Sequence, residues 1–531
     1  MKMTELQTSA SAATTSAGGL KKATESRGAN GGKQYDEVIT KTVDYVYDYE
    51  VNSPTAWNRA TSALLDSMGA AFESVSTSPE CALFLGPTYP TPDIIENGFK
   101  VPGTNYQLDM VKGAFDMGAM IQYMNHNDAF LGREWGHPSS MHWISLKSVL
   151  FTNYLCLDNL GAILATADVL TRVALSKSDE DHVLTMRHVL VALIKAYEIQ
   201  GCIQIKNAFN KIGLDEVILV KVASTAVVSE LMGLTKDQAK SAVSHAWVDG
   251  HPLRTYRQAP NVCSRKNWSA GDACMRAVHL ALMAKKGMAG VKSALDAPRS
   301  GFYDVLFQGN QFQLPRPFGT FVIENVLFKI GNIEAHGVTA VEAAITVAKE
   351  LKEKKLSASD IQSIKIRTQE PAMAIMNKQG PLNSPSDRDH SIPYIVSMIL
   401  LKGSELESKD FNNDSTWTKD PRVEELKDKI SMKEDAEFTK DYQNPELRSM
   451  ANAIKVQMKD GSELEEVAVY FPVGHARRRE TLEEVEMKAR RNLGRRLNEE
   501  RVEEIVAKTK SMEFFGLPVS EFVDLFVPEK K

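Results

Sequence analysis

The chain has 531 residues, with 63 Lys and Arg against 68 Asp and Glu and a net charge of −5 at pH 7. That balance gives no general attraction to nucleic acid or to an anionic membrane, and no apolar run approaches the length of a membrane span. The length exceeds what one ordinary hydrophobic core supports, so two domains are expected.

Residues 1–34 are rich in Ser, Thr, Ala and Gly and poor in large apolar side chains, so they are expected to bury no core and to stay disordered. Five basic residues there stand against Glu5 and Glu25, a partial likeness to an organelle transit peptide. An intracellular location is expected, and the choice between mitochondrion and cytoplasm stays open. From Tyr35 to Phe321 the pattern is helical. Ser53 followed by Pro54 makes a helix start, because Ser accepts an orphan N–H and Pro tolerates the first turn; Trp57, Ala60, Leu64 and Met68 then form an apolar stripe. Further helices are predicted near 107–124, 159–173, 183–209, 217–232, 236–247 and 271–286. After about residue 322 the pattern is mixed: a helix at 339–354, an alternating strand at 361–368, and a hairpin within 453–471 turning at Asp460-Gly461. Helical periodicity returns from about 480, where HARRRE and KARRNLGRR alternate with Glu480, Glu483, Glu484 and Glu486, a pattern that suggests an exposed helix face. The expected fold has two domains: a large all-α domain from residues 35–321 rejoined by helices from 479–531, and a smaller α+β lid domain inserted at 322–478, with a cleft between them.

Five cysteines are scattered without any C-x-x-C pair, and the histidines show no H-x-x-x-H spacing, so neither a metal site nor a cofactor is expected. The densest polar feature lies between Asp249 and Asp272, where Arg254, Arg257, Arg265 and Lys266 gather with His251, Tyr256 and Trp268 and no acidic residue intervenes. Arg grips a carboxylate with a planar fork, and Lys adds a point charge whose pKa drops on desolvation. A solvated charged loop and a cradle for a small polyanion both fit that pattern. Four other groups combine with it: Asn125-His126-Asn127-Asp128 and the nearby His137, Lys329 with His336, the 386–390 segment with Arg388, and Gly474-His475. Taken singly, each also fits a helix cap, an exposed cation or a hydrogen bond at a joint.

The runs RTYRQAPNVCSRKNWSAGDA, EWGHPS, DNLGAILATADVL, AYEIQGCIQIKNAFNKIGLD, NVLFKI, GPLNSPSDRDHSIPYIV and FPVGHARRR resemble the MmgE/PrpD family, and within it most the 2-methylcitrate dehydratases. The resemblance extends from about residue 36 to the C-terminus. It implies a helical domain built from both ends of the chain, an α+β lid, a homodimer, and a metal-independent hydro-lyase acting on a citrate-like tricarboxylate. The family's cleft residues carry over as Asp128, His137, Lys266, Lys329 and His336, the last in a GNIEAHG setting that departs from the bacterial form. Arg254, Tyr256, Arg257, Arg388 and His475 are the candidate substrate contacts. In such a reaction charge builds on a carboxylate already negative, so Lys266 and Lys329 are the expected stabilising cations, with Arg254 and Arg257 as clamps. Whether His137 or Lys266 is the base stays open.

Three departures bear on that expectation. The family pattern runs GHPS directly into DNLG, whereas here residues 140–157, apolar and aromatic with Lys147 as the one charge, stand between them. A retained intron would produce such a segment. Glu216 occupies a position that is His in the bacterial dehydratases, where a carboxylate would oppose a polyanion unless protonated or paired with a cation such as Lys221. Asn125–Phe130 replaces the usual D-F-N-D-T-W, so the substrate preference is open to a longer alkylcitrate. A cis-aconitate decarboxylase of the same family, and an inactive paralog kept as a binding or assembly subunit, are the alternatives.

Overall fold

The computed structural model describes residues 34–89, 92–132, 155–156, 158–248, 250–257, 261–331, 333–404 and 406–528. The expectations for residues 1–33, for His137 and for nearly all of 140–157 lie outside them. From Tyr35 onward the chain holds together as one unit that contains two main apolar cores.

The first core is helical. Helix α1 spans Glu37–Asp48 and α2 Pro54–Thr77. As the sequence predicts, Ser53 Oγ accepts the Ala56 N–H at 3.2 Å, and Ala60, Leu64 and Met68 are buried. There follow α3 (Met110–Tyr123), α4 (Leu160–Ser176), α5 (Met186–Lys206), α6 (Val217–Leu231), α7 (Lys236–Val248) and α8 (Arg265–Lys285). Helix α8 begins six residues before the predicted start, so Lys266 and Trp268 stand on its first turn and not in a loop.

Three glycines set how closely α3, α4 and α8 approach. A Cβ on Gly161 would lie 2.5 Å from the Gly118 amide nitrogen, and one on Gly271 would lie 2.5 Å from the Phe115 carbonyl oxygen. Backbone packs on backbone there, and a methyl group would force the helices apart. Gln122, at the end of α3, then accepts the Ala270 N–H at 2.9 Å, and Asn159 at the head of α4 donates to Val220 O and to Ser224 Oγ on α6. Three helix ends are thereby fixed around one region.

The second core lies between α9 (Ala335–Glu353), α10 (Ile392–Lys402) and a four-stranded sheet. Strand β1 (Ile361–Thr368) occupies the predicted span, and alternation puts Ile364 and Ile366 inside. It pairs in parallel with β2 (Ile430–Glu434), which the sequence reading does not predict, and antiparallel with β3 (Asn452–Met458). The turn falls at Gly461 (φ 87°), but the returning arm forms regular strand only at β4 (Val467–Val469). The order is β2-β1-β3-β4.

After the sheet, α11 (Thr481–Leu493) packs against α2 and is followed by α12 (Glu499–Lys510). The face expected to be exposed is not uniformly so: Lys488, Ala489 and Asn492 are buried. Between the cores, Ala129 and Leu327 exchange two backbone hydrogen bonds, at 2.8 and 2.7 Å, and the Phe328 N–H donates to Gly474 O at 3.0 Å. Gly474 (φ 102°) is obligatory there, because a Cβ would fall 1.9 Å from the Phe328 carbonyl oxygen.

Candidate active site

Beyond α3 the chain turns through Asn125, a non-glycine residue at φ 55°, into the Asn127-Asp128 pair. Asn127 Nδ2 donates to Asp158 Oδ1 at 2.9 Å, which ties the turn to the head of α4. Lys329 reaches it from the other side, its ammonium donating to Asn125 O at 2.8 Å and Asn125 Oδ1 at 3.0 Å. The bridge between Ala129 and Leu327 holds Lys329 there. A small recess beside it is lined by Leu327, Ile330, Ala335, Val338 and Pro472.

Beneath the turn lie three buried carboxyls. Asp128 Oδ1 accepts the Tyr197 hydroxyl at 3.3 Å, and its Oδ2 is buried without a hydrogen-bond partner among the described residues. Burial, then the neighbouring Asp66 and Asp158, push its pKa far above the carboxylate range. Asp158 is raised to about 7, chiefly by burial, although Asn127, Lys329 and Arg257 all favour its anion. Asp66 is raised by burial against the counter-pull of Lys488, whose ammonium lies 2.7 Å away. In all three, burial favours the protonated form.

The cationic segment is organised differently. Arg254 donates to Glu216 through one terminal nitrogen, and its other is buried without a partner. Arg257 binds Asp215 through Nε, and through a terminal nitrogen at 3.2 Å; the same nitrogen reaches Ser269 Oγ at 3.2 Å. Burial alone would raise Asp215, but Arg257 and Arg254 hold it below its ordinary value. The expected clamps are thus already charge-paired. The partner of Glu216 is Arg254 and not Lys221, which donates to Gly250 O at 3.4 Å and whose pKa falls to about 7 through burial. Lys266 is half-buried and its pKa is lowered, first by burial and then by Arg257. It has no carboxylate partner among the described residues.

Of the sequence-predicted residues, Asp128, Lys329, Arg257 and Lys266 are linked through one neighbourhood: Lys329 and Arg257 both act on Asp158, and Arg257 acts on Lys266. Tyr256 is buried beside Arg257, whose guanidinium lies 5.6 Å from its ring centre. His336 is buried, with Nδ1 2.9 Å from a Glu334 oxygen and Nε2 3.3 Å from the Tyr442 hydroxyl. His475 does not present a free imidazole: Nδ1 accepts the Arg477 N–H at 3.1 Å, the ring lies against Phe471, and burial, Arg477 and Arg59 lower its pKa to about 4. Arg388 turns away from a substrate role as well, donating to Phe411 O at 2.6 Å and Asn413 Oδ1 at 2.8 Å. His137 lies outside the described residues. Sequence reasoning missed Asp66, Asp158, Tyr197 and Lys488 as parts of this region. Asp158 had a signal, as the residue that opens DNLG; Lys488, amid charged neighbours, had none. No three His, Cys, Asp or Glu side chains gather as a metal-holding group among the described residues, and no helix there is long and apolar enough to cross a membrane.

Comparison with known proteins places this arrangement. The MmgE/PrpD N-terminal domain matches residues 40–142 and 156–315, and the MmgE/PrpD C-terminal domain matches 332–512. The first match is interrupted over 143–155, inside the segment that separates GHPS from DNLG. A 2-methylcitrate dehydratase-like protein of Aspergillus oryzae is 54% identical over 93% of this chain and 96% of its own length. The 2-methylcitrate dehydratase of Escherichia coli K12 is 47% identical over 93% and 98%, and an alkylcitrate dehydratase of a fungal species is 42% identical over 93% and 94%. With both family domains matched and identity sustained along nearly the whole length, the chain belongs to the MmgE/PrpD family.

Proposed function

We propose that the protein is a hydro-lyase that dehydrates 2-methylcitrate, or a longer 2-alkylcitrate, to the corresponding cis-2-alkylaconitate without a metal ion. The observation that carries this reading is the near full-length identity to proteins named for that chemistry, and Lys266, without a carboxylate partner among the described residues, agrees with it. The reaction removes a C–H proton beside a carboxylate, forms the C=C bond and expels the β-hydroxyl as water once it has taken a proton. Lys266 and Lys329 bear the negative charge that builds on the substrate carboxylate. Asp128, whose pKa burial and the neighbouring Asp66 push up, is suited to give a proton to the departing hydroxyl, while His137 or Lys266 takes the C–H proton.

In this reading the second core, with its sheet, is a lid whose joint with the helical core at Phe328 and Gly474 carries Lys329, and the active form is a homodimer. Residues 140–157 derive from a retained intron. Charge pairing of Glu216 with Arg254 leaves that position neutral toward a tricarboxylate, which suits a substrate with a longer alkyl arm.

The test is a panel of 2-alkylcitrates and cis-aconitate, offered to the full chain and to a variant lacking residues 140–157, with and without prior chelation. Formation of cis-2-alkylaconitate, insensitive to the chelator, is expected. Release of carbon dioxide from cis-aconitate without hydration products would overturn the dehydratase reading in favour of a decarboxylase, and absence of turnover in both proteins would indicate a subunit without activity.

A further inference from the structure

Lys488, on α11 near the far end of the sequence, is 4% exposed and reaches into the helical core. Its ammonium donates to Asp66 Oδ1 at 2.7 Å and to the His126 carbonyl oxygen. The nearby backbone N–H of Asp128 favours the Asp66 anion. One helical turn further along the same face, Asn492 Nδ2 donates to Glu73 Oε2 at 3.4 Å, and Glu73 Oε2 lies 3.1 Å from His126 Nδ1. Two residues of α11 therefore hold the 125–128 turn, one directly at the His126 carbonyl, the other through Glu73 and the His126 ring. The turn needs holding, because Asn125 occupies the left-handed region that a non-glycine residue adopts at a cost.

We infer that Lys488 is a positioning residue of the active site: with its ammonium anchored on Asp66, it holds the His126 carbonyl and so fixes the turn that carries Asp128 and receives Lys329. A charge buried at this depth is expensive, and apolar residues of similar shape would serve the α2–α11 packing as well or better. Its return lies in the two hydrogen-bond acceptors it brings together, one of them a carbonyl of the turn itself. The inference rests on the dehydratase reading for its kinetic consequence and on geometry alone for its structural one.

Lys488→Met and the double variant Asp66→Asn/Lys488→Met separate positioning from mere stability. The single variant strands a buried carboxyl and is expected to lower Tm. The double variant removes both charges and is expected to recover most of that loss. If Lys488 positions the turn, the double variant still shows a kcat reduced by about tenfold or more, with KM within about threefold of wild type, since misplacing a reacting group by about 1 Å carries penalties of that order. Amide hydrogen exchange at residues 125–128 is expected to quicken while that of α6 is unchanged. A double variant with wild-type kcat, or with unaltered exchange at 125–128, overturns the inference. Should the wild-type protein turn over no tricarboxylate, the proposed function falls while the exchange measurement still decides the role of Lys488.

Discussion

Two buried charge clusters flank the 125–128 turn and behave in opposite ways. Asp215 and Asp158 are equally withdrawn from water, and burial drives both pKa values upward. Asp215 nevertheless stays below its ordinary value because the Arg257 guanidinium grips it. Asp158 rises to about 7 because its direct partner is the neutral Asn127 amide, with cations only further off. At equal burial the difference between these two carboxyls comes from the guanidinium, a stronger pull than the single ammonium of Lys488, which leaves Asp66 raised. One side of the region is a neutral scaffold of matched Arg and acid, the other a store of protons. Lys266 stands beside the scaffold without an acid of its own.

That asymmetry is broken most severely at Lys266. Lys266→Ala is expected to cut turnover of a 2-alkylcitrate by about 10³-fold, the scale for removing one preorganised group at developing charge, with Tm little changed because a half-buried ammonium on a first helical turn contributes little packing. Steady-state kinetics beside a thermal melt check this. A variant that keeps wild-type kcat removes Lys266 from the chemistry.

Arg257→Met tests the scaffold itself. It strands Asp215 in the core, at an expected cost of about 3–5 kcal/mol, and reverses the sign of that carboxyl's contribution. In the wild type the lowered Asp215 pKa adds stability above the unfolded-state pKa, and that stability is lost as pH falls through the folded value. Without the guanidinium, burial raises the pKa and the variant loses stability as pH rises. Urea unfolding at pH 5 and pH 8, where the wild-type Asp215 contribution is flat, reads the loss in the variant, and parallel slopes in variant and wild type would contradict the pairing account.

The two clusters were unequally legible in the sequence. Periodicity located the helices, and Ser53-Pro54 marked a helix start, because apolar spacing and capping are local. The cationic run was visible as a run, but its charges looked free, since the acids that pair with them, Asp215 and Glu216, stand roughly forty residues away behind α6 and α7. Arg388 and His475 illustrate the same limit: their types and motifs suggested ligand contacts, and each has a backbone partner that no pattern of side chains announces. Lys488 was read with its charged neighbours as part of an exposed face, because a helix with an uneven charge pattern does not reveal which cation points inward. Strand β2 escaped notice for a related reason: its burial does not alternate cleanly, and its parallel pairing with β1 is set by the sheet.

The proton store gives the smallest and most diagnostic effect. Burial pushes the Asp158 pKa up to about 7 from its ordinary 3.8, so between those values the folded state binds the extra proton. Stability therefore falls as pH rises through that window, by up to about 4 kcal/mol for a shift of this size. Asp158→Asn keeps the shape and the contact with Asn127 after an amide flip but cannot ionise. The variant is expected to match the wild type near pH 4 and to exceed it in stability by about 1–3 kcal/mol at pH 8, measured by urea unfolding across the series. If the two proteins keep a constant difference from pH 4 to pH 8, Asp158 holds no proton in the folded state, and the contrast with Asp215 reduces to one of packing.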